Sequence, residues 1–272
     1  MQIEEINDMS YSVAEVLSCE LLSTGIYSMY LSTDAAAEAV PGQFVMLSSL
    51  SDSRLLMRPI SICDADKDGK KLRLVFRVVG YATDKWTGLK SGDRLQLLGP
   101  RGNGFPIEAS TNKESIALVG GGVGIPPLLF LLKKLLENGN PAQNIHIILG
   151  YRSVADGLFL LDEFKDIANV IITTDDGSAG SKGTVLNGMK ENSVKPDFIY
   201  SCGPLPMLRA LADYGKDAGI PVYVSMKERM ACGVGVCLGC SVKTVSTDEH
   251  SKVKRARVCS EGPVFEGKDI DF

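Results

Sequence analysis

Ile116-Ala117-Leu118-Val119-Gly120-Gly121-Gly122-Val123-Gly124-Ile125-Pro126-Pro127 is the stretch on which the reading of this chain turns. Its four leading apolar residues read as a buried strand, the glycines as a tight loop, and the prolines as a first helical turn, where a missing N–H is harmless. Strand, loop and helix in that order is the context in which N–H groups at a helix N-terminus hold a pyrophosphate. From Gly122 the pattern runs Gly-x-Gly-x-x and then Pro127. The third glycine of the dinucleotide fingerprint is missing, so a plain tight turn stays open beside the nucleotide reading.

The same alternation continues downstream. Apolar runs at 145–149, 170–173 and 198–201 alternate with helical periods over 127–137, 159–167 and 206–216. Strands apolar on both faces and separated by helices predict a doubly wound, parallel α/β sheet. Gly150-Tyr151-Arg152, Asp175-Asp176-Gly177 and Cys202-Gly203-Pro204 follow the second, third and fourth of these strands. Ligands of open α/β sheets bind outside the carboxyl ends of strands, so these turns join Gly120, Gly121, Gly122, Gly124 and Pro126 as a candidate nucleotide site. The alternative for each is an ordinary strand-to-helix turn. Asp175 and Asp176 are placed to accept from a ribose hydroxyl and repel a 2′-phosphate, which favours NAD over NADP. Residues 177–183 lack the Gly-Lys-Ser/Thr ending of a Walker loop.

Upstream the period is two rather than 3.6. Short alternating segments at 26–31, 43–47, 71–78 and 93–98 predict an antiparallel sheet closed as a small barrel, with a boundary near residue 108. Within it, Arg58-Pro59-Ile60-Ser61 sets a cation and a hydroxyl at a strand start. An arginine there neutralises a phosphate beside a flavin, or simply forms a surface salt bridge.

Beyond about residue 226 both periods fade. Cys232, Cys237, Cys240 and Cys259 have the spacing C-x4-C-x2-C-x18-C, and the first three share a loop with Gly233, Gly235 and Gly239. The spacing of the first three is the plant-type [2Fe-2S] signature. Thiolates from one short loop must wrap a cluster, and glycines let the backbone bend so that its N–H groups face sulfur. Zinc is the alternative, but structural zinc takes two separated Cys or Cys/His pairs, and the chain has only His146 and His250. Cys19 and Cys63 read as buried strand residues. Lys252, Lys254, Arg255 and Arg257 read as solvated surface or a docking patch.

Composition agrees with a globular chain. At 272 residues, 44% apolar and 23% charged, it is neither disordered nor disulfide-stapled. A net charge of -4 supplies no argument for nucleic acid or for an anionic membrane. Eighteen uncharged residues from Ser115 to Leu132 have the length of a membrane helix, but the glycines and Pro126-Pro127 break it. Met1-Gln2-Ile3-Glu4-Glu5 is acidic where a signal peptide is basic, so a cytoplasmic protein is expected. The expected division is a barrel over 1–108, a nucleotide domain over 109–225 and a cluster segment over 226–272.

A barrel with Arg-Pro-x-Ser, then Gly-Gly-x-Gly-x-x-Pro, then Cys-Gly-Pro and a plant-type cluster loop resembles the ferredoxin–NADP reductase-like flavoproteins. Within them, Arg58 to Ile62, Gly99-Pro100, Gly102 to Phe105, Met230 to Cys237 and Gly262 to Phe265 are similar to the electron-transfer subunits of NAD-dependent dihydroorotate dehydrogenase. The resemblance covers nearly the whole chain. It implies that the barrel is the FAD-binding domain, with FAD held by Arg58, Pro59, Ile60 and Ser61, by Val75, Phe76 and Arg77, and by a Gly-Thr pair that here is Ala82-Thr83. An alanine there is strained wherever a positive φ is required. Arg101 also stands where the resemblance leads one to expect an aliphatic residue. Cys202 is placed near the nicotinamide or flavin edge, with a buried structural thiol as the alternative.

The resemblance further implies a heterotetramer of two such chains with two FMN-containing dihydroorotate dehydrogenase catalytic subunits. Electrons from dihydroorotate would pass through [2Fe-2S] and FAD to NAD, for pyrimidine biosynthesis. No residue stands out for deprotonating a substrate carbon, and no segment is left for a substrate domain, so the oxidoreductase needs a partner. A reductase subunit serving a different oxidoreductase, and a zinc-stabilised nucleotide-binding module, remain as alternatives.

Overall fold

The computed structural model describes residues 11–50, 56–248 and 252–272, so Met1 to Glu5 and His250 lie outside the described residues. Six strands form the first unit: β1 (Tyr11–Ser23), β2 (Ile26–Ser32), β3 (Phe44–Ser49), β4 (Arg58–Asp66), β5 (Lys71–Arg77) and β6 (Arg94–Arg101). They close as an antiparallel barrel in the order β1-β2-β5-β4-β3-β6, with short helices α1 (Ala35–Glu38) and α2 (Tyr81–Trp86) at its ends. The alternation in β5 shows why it closes. Leu72, Leu74 and Phe76 point into a core with Val45, Leu47, Ile62 and Trp86, while Arg73 and Val75 between them face outward. β1 escaped the period-two reading because irregularities at Val16/Ser18 and Leu21/Ser23 shift its register.

The second unit runs β7 (Ile116–Gly121), α3 (Pro126–Glu137), β8 (Ile145–Tyr151), α4 (Leu161–Lys165), β9 (Val170–Thr174), β10 (Ser181–Lys182), α5 (Val185–Glu191), β11 (Phe198–Cys202), α6 (Leu205–Ala218) and β12 (Val222–Ser225). The expected α/β sheet is present, and β7 lies at its centre between β8 and β11. Helix α5 lay outside the apolar periods, but Thr184 marks it, since its Oγ1 accepts from the Asn187 N–H at 3.4 Å. The C-terminal part adds a small hairpin of β13 (Ser241–Lys243) and β14 (Arg255–Arg257), then β15 (Val264–Glu266). β15 pairs antiparallel with β12 and becomes the edge of the nucleotide sheet. The segment after residue 226 therefore returns to the preceding domain. Three-residue strands are too short to show a period.

Barrel and sheet are locked by α3 and α4. Phe130 of α3 is buried in the barrel core, and Lys133 on the same helix pairs with Asp64 of β4. The buried Arg73 of β5 reaches Glu163 of α4 through two parallel hydrogen bonds, and its Nε donates to Ser28 Oγ at 3.0 Å. Burial works against the Arg73 charge, and the carboxylate overcomes it, holding the guanidinium firmly protonated. Glu163→Gln leaves that buried charge without its counter-ion. Because Glu163 is partly exposed, the expected loss is about 1–3 kcal/mol of unfolding free energy, below that of a fully buried pair, measured by urea denaturation.

Candidate cofactor cavities and the cysteine loop

The start of β4 and the end of β5 make one wall of a cavity of 530 Å³. Arg58, Pro59, Ile60 and Ser61 line it from one strand, and Val75, Phe76 and Arg77 from the other. Thr83 lines it from α2; its hydroxyl accepts from the N–H groups of Val79 at 3.0 Å and Gly80 at 3.2 Å and donates to the Gly80 carbonyl at 2.9 Å, fixing the rim. Ala82 sits in α2 without a positive φ and points into the barrel core, so the missing glycine causes no strain. Met226 to Met230, which sequence periodicity left unassigned, also line it.

A second cavity, of 740 Å³, opens over the carboxyl ends of the parallel strands. Gly121, Gly122, Gly203 and Pro204 line it. Gly120, Gly124 and Pro126 lie behind that surface and shape it. A Cβ on Gly124 would stand 2.1 Å from the Cys202 carbonyl oxygen, and one on Gly120 would stand 2.9 Å from Leu128 Cδ1. Pro126 starts α3. Asp175 lines the cavity along with Arg152, but Asp176 does not. The Asp176 carboxylate accepts from the Ser178 hydroxyl at 2.6 Å and its N–H at 2.9 Å, which hold it below its ordinary pKa. Cys202 is fully buried, packs in the core beneath the glycine loop and lines neither cavity. Of the two readings weighed for it, this placement is that of the structural thiol.

The two cavities meet. Arg77, Val123 and Lys227 border both, and Lys227 Nζ donates to the Val123 carbonyl at 2.9 Å, tying the cluster segment to the glycine loop. Lys227 carried no signal in the sequence, because a lone lysine outside any motif reads as solvated surface.

Met230, at the first cavity, is followed two residues later by Cys232. The loop it begins aims N–H groups at sulfur: Val234 at 3.4 Å and Cys237 at 3.5 Å onto Cys232 Sγ, and Gly235 at 3.1 Å onto Cys259 Sγ. Burial pushes the Cys232 thiol up, but these N–H donors outweigh it and hold it well below the ordinary thiol range. The Cys259 thiol is raised by burial and by Cys240 beside it. Cys237 acts on the Cys232 thiol, and both Cys240 and Cys232 act on that of Cys259. Four thiols that act on one another, two of them with N–H donors, suit a centre held by four thiolates. Cys19 and Cys63 stay apart in the barrel; burial raises both thiols, to about 11 and about 12, and Cys19 is only half-buried. Arg257, expected as solvated surface, is held by Glu261 and donates to the Gly235 carbonyl at 3.1 Å.

Residues 227–271 match the iron-sulfur cluster binding domain of dihydroorotate dehydrogenase B, and residues 118–213 match the oxidoreductase NAD-binding domain. The chain is 40% identical to the dihydroorotate dehydrogenase B (NAD(+)) electron transfer subunit of Lysinibacillus sphaericus, over 92% of this chain and 94% of that one. It is 37% identical to the subunit of the same name from Caldanaerobacter subterraneus, over 95% and 98%. The chain belongs to the family of dihydroorotate dehydrogenase B electron transfer subunits.

An electron transfer subunit implies a catalytic partner. Among solved structures, an NADH-dependent reduced ferredoxin-NADP oxidoreductase, studied for flavin-based electron bifurcation, superimposes with a TM-score of 0.82 and 30% identity, covering 96% of this chain and 90% of that one. A Neisseria gonorrhoeae ferredoxin NADP+ reductase with bound FAD and NADP, 16% identical with a TM-score of 0.65 over 80% and 94%, shares the fold. Among the described residues no helix is long and apolar enough to cross a membrane.

In this subunit Gly124 is the most sensitive point of the second cavity, because its backbone lies against that of Cys202. Gly124→Ala is expected to lower unfolding stability by about 1–3 kcal/mol through overpacking. Displacing the glycine loop should also weaken NADH binding by about tenfold, roughly 1.4 kcal/mol. Thermal unfolding and NADH titration check the two effects.

Proposed function

We propose that this chain takes electrons from an FMN-containing catalytic subunit that oxidises dihydroorotate to orotate, and delivers them to NAD. In this reading FAD occupies the 530 Å³ cavity, a nicotinamide dinucleotide the 740 Å³ cavity, and a [2Fe-2S] cluster the loop of Cys232, Cys237, Cys240 and Cys259. The assembly is a heterotetramer of two chains of each kind in the cytoplasm, a setting where cysteines outside the cluster, Cys19, Cys63 and Cys202, stay reduced. The observation that carries the reading is the adjacency of the sites: the first cavity shares Arg77, Val123 and Lys227 with the second and is also lined by Met230, two residues before Cys232.

A flavin exchanges electrons in pairs with a nicotinamide and singly with an iron–sulfur centre, so a bound FAD supplies the conversion between them. The chain's residues supply placement and charge. Arg58 and Arg77 bring cations to the first cavity for the FAD phosphates, and Pro59, Ile60 and Phe76 offer apolar faces to a planar ring. Gly121, Gly122 and Val123 of the glycine loop are assigned the dinucleotide phosphates, and Asp175, rather than Asp176, the ribose hydroxyls and the preference for NAD. The N–H groups on Cys232 and Cys259 favour thiolates as ligands. Cys202 keeps a positioning role, its carbonyl buttressing Gly124.

Cys237→Ser tests the series arrangement, since Cys237 is the exposed ligand. Iron content and the visible cluster bands should fall, and NAD reduction by dihydroorotate in the presence of the partner should drop by about 100-fold or more, roughly 3 kcal/mol. NADH oxidation with a dye acceptor should persist. Collapse of dye reduction with FAD still bound would contradict the placement of FAD between the other two.

The 30% identity to the NADH-dependent reduced ferredoxin-NADP oxidoreductase over 96% of the chain favours one second reading, the same electron path serving a different catalytic partner. Isolation of the native complex with a subunit inactive on dihydroorotate would establish it.

A further inference from the structure

Gly233 and Gly235 adopt φ of +68° and +84°, and in this bent loop the Val234 N–H is turned toward Cys232 Sγ and the Gly235 N–H toward Cys259 Sγ. The cost of that geometry is that the loop's carbonyls face away from the sulfurs and need donors of their own. Arg257 Nη1 meets the Gly235 carbonyl at 3.1 Å, and the Arg257 charge is offset by Glu261. The Gly233 carbonyl is met from another domain: Arg101 Nε, at the end of barrel strand β6, donates to it at 3.4 Å.

Arg101 lies opposite Phe44 of β3, and Phe44 lines the 530 Å³ cavity. Two residues along the same strand, Met46 fills the space beneath Gly233 so closely that a Cβ there would stand 2.7 Å from Met46 Cγ. One stretch of barrel wall therefore borders the flavin cavity and carries the cysteine loop. Among the described residues no carboxylate pairs with Arg101, whereas Arg257 is paired with Glu261.

We propose that Arg101 is a positioning residue for the iron–sulfur centre, clamping the Gly233 carbonyl to the barrel while its positive charge raises the centre's reduction potential. The inference rests on the reading of the cysteine loop as a cluster site. Its physical basis is that reduction adds negative charge to the centre, and a cation held nearby in a partly buried place stabilises the reduced form more than the oxidised form.

The test uses the full chain with FAD bound, comparing Arg101→Leu and Arg101→Lys by iron and sulfide content, by the electron paramagnetic resonance spectrum of the reduced centre, and by potentiometric titration. The expected result is that Leu shifts the cluster potential negative with a changed spectrum, while Lys restores most of the potential and the flavin potential stays in place. Loss of the cluster from the Leu variant with retention in the Lys variant also supports the clamp. A Leu variant equal to wild type in iron, spectrum and potential overturns the proposal, as do equal losses in both variants, which would assign the effect to packing rather than charge. A wild-type chain without iron would instead overturn the underlying cluster reading.

Discussion

Phe130 belongs to the first helix of the nucleotide domain, yet its ring is buried in the core of the barrel. Everything functional in the molecule depends on that fixed docking. Two domains joined by a loose interface would hinge, and the cavities would not share a border. Here the apolar contact of Phe130 is flanked by Lys133 with Asp64 on one side and Arg73 with Glu163 on the other. The ion pairs set the orientation, and the attraction comes from buried apolar area, in which Ile26, Cys63 and Val75 of the barrel share a core with Leu128, Leu129 and Leu132 of α3. With barrel and sheet held so, Arg77 from the first domain and Val123 from the second stand on one shared wall.

The cysteine loop extends the same logic to a third site. It has almost no regular structure, so its shape must come from what it touches. Gly233 rests on Met46 of the barrel, Lys227 is tied to the glycine loop, and β15 returns the chain to the sheet edge. N–H donors are then aimed at the sulfurs of Cys232 and Cys259, an arrangement set by the backbone. Val236 and Leu238 flank Cys237 on the exposed side of the loop, 79% and 63% accessible, so the outer rim is open while Cys240 and Cys259 are buried.

Much of this was legible in the residues because it rests on local patterns. The parallel sheet shows in apolar runs such as 145–149, and the barrel in alternation such as 71–78, where burial on one or both faces leaves a direct trace in composition. The cysteine spacing was legible because ligand geometry constrains a short loop. What stayed hidden depends on contacts between distant segments. Lys227 gains meaning only beside Val123, Arg101 only beside Gly233, and β15 only beside β12. Asp175 and Asp176 are equivalent in sequence, and a hydrogen bond from Ser178 two residues on separates them. Cys202 shows the converse: its motif pointed to a ligand edge, while the close approach of Gly124 covers it.

The central claim is that the first cavity stands between the other two sites, so that electrons from a nicotinamide reach the cysteine loop only by way of a flavin there. Mixing NADH anaerobically with the protein from which flavin has been removed, and following the iron–sulfur centre by freeze-quench electron paramagnetic resonance, tests it most directly. The centre should stay oxidised until FAD is restored. Reduction of the centre at the flavin-replete rate in the flavin-free protein would contradict the account.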